Sequence, residues 1–268
     1  MNPILFAVIV VSVIGLIGGI VLSVASVLMS VPTDENIEKI REELPGANCG
    51  GCGYPGCDGM AAALVEGKAE PTNCKACSSE NLQKIGKILG IEVEDTEQKV
   101  ARLICRGSVG ICQIKGQYDG YMDCKAAAMV VKYKSCKFAC LGLGSCTKAC
   151  PFHAIKIGDN GIPEIDESIC VGCGKCAETC PVSALQVLPV SQTTFVVCRN
   201  PDFGKKVMNV CGAGCIGCKL CMKVCENDAI SVENNLPVID PQKCIGCGKC
   251  AQACKTGALR YIGKEGTV

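Results

Sequence analysis

Cys170-Val-Gly-Cys173-Gly-Lys-Cys176-Ala-Glu-Thr-Cys180 recurs further along the chain as Cys244-Ile-Gly-Cys247-Gly-Lys-Cys250-Ala-Gln-Ala-Cys254. Both read C-x2-C-x2-C-x3-C, the run that binds [4Fe–4S] clusters in bacterial ferredoxins, where the fourth cysteine ligates the other cluster of a pair. Each run therefore calls for a partner run, and each has one upstream. Cys215-Ile-Gly-Cys218-Lys-Leu-Cys221-Met-Lys-Val-Cys225 precedes the second; Cys136-x3-Cys140-x5-Cys146-x3-Cys150 precedes the first, its longer loop rich in glycine. Crossed ligation then gives four clusters. They are Cys136, Cys140, Cys146 with Cys180; Cys170, Cys173, Cys176 with Cys150; Cys215, Cys218, Cys221 with Cys254; and Cys244, Cys247, Cys250 with Cys225.

The repeat extends beyond the cysteines. Gly161-Ile-Pro-Glu-Ile-Asp166 matches Asn235-Leu-Pro-Val-Ile-Asp240, so one unit is present twice. Short apolar segments flank the runs and read as strands: Ala154-Ile-Lys-Ile157, Ala184-Leu-Gln-Val187, Ala229-Ile-Ser-Val232 and Ala258-Leu-Arg-Tyr261, with a turn at Asp159-Asn-Gly161.

With 26 cysteines in 268 residues, the chain is either a disulfide scaffold or a metal protein. It is far longer than the small secreted scaffolds, and the spacing decides for metal. There is no Trp and only 5 Phe and 5 Tyr, so cohesion must come from elsewhere; ligation free energy becomes folding free energy. Net charge is +1 but unevenly spread. Residues 33–99 carry 13 acidic and 7 basic side chains, whereas 102–148 carry 8 basic and 2 acidic. The basic stretch, with Lys132, Lys134 and Lys137 at its centre, is a candidate docking face for an acidic partner. No phosphate-binding glycine loop, acid–base pair or nucleophile is legible. The lone histidine, His153, follows a ligand run and reads as structural.

Residues 4–31 contain no charge. As a helix they span about 42 Å, enough for a tilted crossing of a ~30 Å hydrocarbon core. A signal peptide would show a basic start and a shorter apolar run. Gly15, Gly19 and Ser23 form a small-residue stripe suited to helix packing. Next comes a helical pattern over 33–44 with Thr33 as N-cap, then Cys49-Gly-Gly-Cys52-Gly-Tyr-Pro-Gly-Cys57, with Cys74 and Cys77 beyond. Three thiols on one glycine-rich loop suit a bulky cluster better than zinc, whose sites pair two C-x2-4-C knuckles.

This stretch, placed just after an apolar N-terminal helix, resembles the four-cysteine domain of the B subunit of the Rnf complex, and the likeness covers nearly the whole chain. It implies Cys74 as the fourth ligand of a first cluster, although Lys75-Ala76-Cys77 replaces the family's Pro-Gly there and leaves Cys77 as a rival. It further implies a subunit that accepts electrons from soluble reduced ferredoxin. The electrons would pass to membrane, flavin and iron–sulfur subunits of an assembly that reduces NAD and pumps Na⁺ or H⁺. The expected fold is α+β: a single-pass anchor (1–32) in the cell membrane, a four-Cys domain (33–95), a basic connecting segment (96–134), a ferredoxin module (135–190), a connector (191–210) and a second module (211–268). The cluster domains are expected in the cytoplasm, where thiols stay reduced. Nucleic acid is not an expected partner. Six cysteines remain: Cys77, Cys105, Cys112, Cys124, Cys198 and Cys211. Cys105 and Cys198 each end an apolar run, which suggests a sixth cluster on Cys105, Cys124, Cys198 and Cys211. Two rival functions are a wiring subunit of a membrane hydrogenase or formate dehydrogenase, and a metal-stabilised adaptor without redox activity.

Overall fold

The computed structural model describes residues 3–28, 34–94, 97–130 and 133–263. Helix α1 (Pro3–Leu28) carries no charged residue, and no side chain lies within reach of Gly15 or Gly19. Side chains along α1 are described as a run only from 11 to 25, and among the described residues no helix is long and apolar enough to cross a membrane.

Three helices build the unit that follows. Helix α2 (Glu35–Glu43) starts at Asp34, whose carboxylate accepts from the Asn36 N–H at 2.9 Å; the expected cap, Thr33, lies outside the described residues. Helix α3 (Gly56–Val65) and helix α4 (Ser79–Leu89) pack on α2 around Ile40, Leu44, Met60, Leu64 and Ile85. Arg41 ties α2 to Asp58 on α3 at 2.7 Å, and the Asn81 amide donates to the Glu43 carbonyl at 2.9 Å. The apolar face of these helices is small, and the cysteine loop closes over its end.

The rest is one topology used twice. Strand β1 (Lys99–Leu103) precedes α5 (Cys124–Val130), α6 (Ser145–Ala149), the hairpin β2 (Ile155–Ile157) and β3 (Pro163–Ile165), α7 (Lys175–Thr179) and β4 (Leu185–Pro189). Strand β5 (Thr194–Val196) precedes α8 (Lys205–Met208), α9 (Leu220–Lys223), the hairpin β6 (Ile230–Glu233) and β7 (Leu236–Ile239), α10 (Lys249–Gln252) and β8 (Leu259–Tyr261). In each copy the first strand pairs antiparallel with the last: Ala101 opposite Val187, and Phe195 opposite Arg260. The expected connecting segment and connector thus each contribute a strand to a module. All four repeat strands read from the sequence form, shifted by one or two residues at their ends.

A third small core joins the modules. Ile104 and Leu188 from the first meet Phe195 and Val197 from the second. Arg102 lies beside it, only 3 % exposed, with its guanidinium 4.8 Å from the centre of the Phe195 ring. It donates to the Gln192 and Val190 carbonyls and pairs with Glu167 at 3.2 Å. A residue counted in the basic stretch is therefore a clamp between modules, not part of a docking face.

Candidate metal centres

The loop 48–57 is shaped by left-handed backbone at Asn48, Gly50, Gly53 and Gly56. The Asn48 side chain accepts from the Cys57 N–H at 2.8 Å, which fixes the entry to α3. Cys49, Cys52, Cys57 and Cys74 line one cavity. Cys77 does not line it; its thiol hydrogen-bonds the Cys74 sulfur and reaches the Glu43 carbonyl at 3.7 Å. That hydrogen bond lowers the Cys74 pKa to about 7 against the opposing effect of burial. The same cavity wall includes Cys173 of the first module. Gly51 permits this approach, since a Cβ there would stand 3.0 Å from the Cys173 carbonyl oxygen.

The second module brings its thiols together in the crossed pattern. One cavity is lined by Cys215, Cys218, Cys221 and Cys254, another by Cys225, Cys244, Cys247 and Cys250. A short helix follows the loop of each run, placing Cys221 on α9 and Cys250 on α10. The residue before each helix is left-handed: Gly248, but Lys219 at φ 58°. The Ala229 N–H points at the Cys225 sulfur, 3.4 Å away.

In the first module, Cys150 and Cys170 are both neighbours of Cys173 and Cys176, which neighbour each other, and the Ala101 N–H donates to Cys170 at 3.3 Å. The companion cavity departs from the expected ligand set. It is lined by Cys140, Cys146, Cys180 and Cys124, and not by Cys136. Comparison with the second module explains this. Cys140 and Cys146 stand where Cys215 and Cys221 stand, with Gly142 and Gly217 at φ +73° and +69°. Leu143 then occupies the place of Cys218. Cys124, the first residue of α5, approaches from outside the run. Its N–H donates to the Ser145 hydroxyl at 2.7 Å, and that hydroxyl donates to Asp123 at 2.7 Å. Backbone N–H groups of α5 and this hydroxyl hold the Asp123 carboxyl below the usual carboxylate range.

The sixth set expected from the sequence is accordingly split. Cys124 sits with Cys140, Cys146 and Cys180, while Cys105, Cys198 and Cys211 gather elsewhere, with Cys112 and Cys136. The docking lysines also separate. Lys134 is 4 % exposed, with its ammonium on the Gly107 carbonyl at 2.8 Å, so it cannot meet a partner. Lys137 is exposed, and Lys132 lies outside the described residues.

Among the described residues, no three His, Cys, Asp or Glu side chains are close enough to share one metal ion. A tetrahedral zinc with bonds of ~2.3 Å would hold its sulfurs about 4 Å apart. Sets of four thiols around one cavity are the donor chemistry of an iron–sulfur core. Burial pushes Cys140 and Cys176 up to about 12 and Cys146 and Cys215 up to about 11. These thiols are protonated at neutral pH, so ligation must release protons.

Paired ferredoxin modules with crossed thiol sets, beside a separate four-cysteine site, define an iron–sulfur protein of the polyferredoxin type. Family models agree: an Fe-S cluster family matches residues 44–78, and the 4Fe-4S dicluster domain matches 134–184 and 214–258. The chain is 41% identical to the B subunit of the Na⁺-translocating ferredoxin:NAD⁺ oxidoreductase complex of Acetobacterium woodii, over 91% of this chain and 73% of that one. It is 40% identical to the B subunit of the ion-translocating oxidoreductase complex of Methanosarcina acetivorans, over 86% and 88%. It is 38% identical to the B subunit of the proton-translocating ferredoxin:NAD⁺ oxidoreductase complex of Clostridium ljungdahlii, over 90% and 85%. The chain belongs to the family of B subunits of ion-translocating (Rnf) oxidoreductase complexes.

Proposed function

We propose that this chain is the electron-transfer subunit of an ion-translocating ferredoxin:NAD⁺ oxidoreductase, carrying electrons from reduced ferredoxin towards its membrane partners. The observation that carries this reading is contiguity: the first cavity and the first module share Cys173 as a wall, and the two modules share a core. A [4Fe–4S] cluster, when bound, takes up and gives back one electron. Cys49, Cys52, Cys57 and Cys74 would hold the first. Cys124, Cys140, Cys146 and Cys180 would hold the second, and Cys150, Cys170, Cys173 and Cys176 the third. The fourth belongs to Cys215, Cys218, Cys221 and Cys254, the fifth to Cys225, Cys244, Cys247 and Cys250. Backbone N–H groups aimed at Cys170, Cys180 and Cys225 stabilise thiolate charge and raise the tendency to accept an electron.

We further propose that α1 is a single membrane anchor with the cluster domains on the cytoplasmic side. The support is in the sequence: the uncharged run 4–31 would span about 42 Å as a helix, longer than a ~30 Å hydrocarbon core. Other subunits of the complex would pack on it, and exposed Lys137 would help attract acidic ferredoxin. The test is stopped-flow mixing of reduced ferredoxin with the anaerobically purified chain. Bleaching of its visible iron–sulfur absorption supports the reading. Full iron content with reduction by a small chemical reductant but not by ferredoxin refutes the proposed donor.

A further inference from the structure

We infer that Cys105, Cys136, Cys198 and Cys211 bind a sixth iron–sulfur cluster at the junction of the two modules, with the Lys134 ammonium buried against it. This rests on the five-site reading above, because it requires Cys136 to be free of the second cluster.

The four thiols arrive as two equivalent pairs. Cys105 follows the end of β1 by two residues, and Cys198 follows the end of β5 by two. The Cys105 sulfur accepts from the N–H of Cys140 at 3.4 Å, and the Cys198 sulfur accepts from the N–H of Cys215 at 3.2 Å. Cys140 and Cys215 are the equivalent first cysteines of the two runs. Cys136 and Cys211 each precede them by four residues, in the same turn: Ala139 N–H to the Cys136 carbonyl at 3.2 Å, and Gly214 N–H to the Cys211 carbonyl at 3.3 Å. A cubane cluster has two-fold axes, so two related pairs of thiols suit its four corners. Cys136 has Cys112, Cys105 and Cys198 as electrostatic neighbours, and Cys211 has Cys112 and Cys105, so it is the repeat symmetry that singles out Cys211 over Cys112.

Charge supplies an independent argument. Lys134 is nine-tenths buried or more, its ammonium meets only the Gly107 carbonyl, and among the described residues no carboxylate pairs with it. An ammonium buried without a counter-charge is strongly disfavoured. Its electrostatic neighbours are the thiols of Cys105, Cys112 and Cys140. Four thiolates on a cubane carry a net negative charge, which supplies the missing counter-ion. The position also completes a series, since the backbone of a second-site ligand touches Cys105 and that of a fourth-site ligand touches Cys198.

Cys112 is the spare thiol. It faces Cys211 across an antiparallel bridge between Gln113 N–H to Val210 carbonyl and Gly212 N–H to Ile111 carbonyl, both 3.0 Å. The Cys211 thiol donates to the Cys112 sulfur, the reverse of the first site, where the spare Cys77 donates to the ligand Cys74, so binding at Cys211 must release that proton.

The experiment is iron and sulfide analysis with Mössbauer spectroscopy on the anaerobically purified full-length chain. The parent should hold about 24 irons and Cys105→Ser/Cys198→Ser about 20, at four per cubane. Cys211→Ser should lose the same four, and Cys112→Ser none. Equal iron in parent and double variant overturns the sixth site. So does a Cys112–Cys211 disulfide, found by alkylation and mass spectrometry in the anaerobic parent. A parent well below 20 irons overturns the five-site reading instead. Lys134→Met should make the potential of this cluster more negative while iron stays constant, and an unchanged potential removes Lys134 from the site.

Discussion

Leu143 stands where the second run of the repeat has Cys218, and this can be turned into a rescue experiment. Cys124→Ser should remove the second cluster and no other. The loss is four of the irons in the chain, since a cubane lacking one of its thiolates is labile. Leu143→Cys should then restore those four irons in the Cys124→Ser background. The backbone already has the required shape: Gly142 at φ +73° matches Gly217 at +69°, and Gly144 before α6 matches Lys219 before α9. The assay is iron content, with Mössbauer or low-temperature paramagnetic resonance to count clusters in parent, single and double variants. Cys136→Ser in the parent background should leave the second cluster untouched. The reasoning fails if Cys136→Ser removes that cluster while Cys124→Ser spares it, or if the double variant folds with other clusters intact yet stays four irons short.

Three further outcomes follow from the structure. Arg102→Met should destabilise the junction of the modules by about 1–3 kcal/mol, since two carbonyls lose a charged donor while Glu167 stays open to solvent, read by anaerobic denaturant unfolding; Arg102→Lys should recover little, because one ammonium cannot serve two carbonyls, a carboxylate and a ring together. Cys77→Ala should retain the first cluster with a shifted potential, whereas Cys74→Ser should lose it; equal iron loss in both variants would show that the two thiols are not distinct in role. Lys137→Glu should slow electron uptake from ferredoxin at low salt and converge with the parent near 1 M, where the Debye length has shrunk from ~10 Å to ~3 Å. Identical rates at low ionic strength exclude Lys137 from docking.

What is legible in the sequence is whatever is local. Runs such as Cys244 to Cys254 carry their chemistry in their spacing, and the crossed partner of each follows from the repeat. The absence of Cys136 from the lining of the second cavity has a clear origin: counting cysteines from Cys136 gives four in a row and hides the gap. The glycine pattern is the better ruler, since Gly142 aligned on Gly217 exposes Leu143 in the place of a thiol. Cys124 has no such signal, because its approach depends on the Asp123–Ser145 contact between distant segments. The basic stretch misleads for a related reason. Charge counts are blind to burial, and Arg102 and Lys134 are both interior. The apolar runs before Cys105 and Cys198 are visible, but their pairing with β4 and β8 is long-range and leaves no local trace.

That long-range pairing also sets a timetable for the nascent chain. Strand β1 at 99–103 waits for β4 at 185–189 before its sheet can form. At ~5–20 residues per second of synthesis, those 86 residues take roughly 4–17 s. During this interval Cys105 and ten further cysteines, through Cys180, emerge from the ribosome before the strand that closes their module exists. The thiols of the first module are thus open to oxidation or stray metals for seconds in every round of translation. Cluster binding that depends on the closed sheet of the first module therefore has to wait for Pro189.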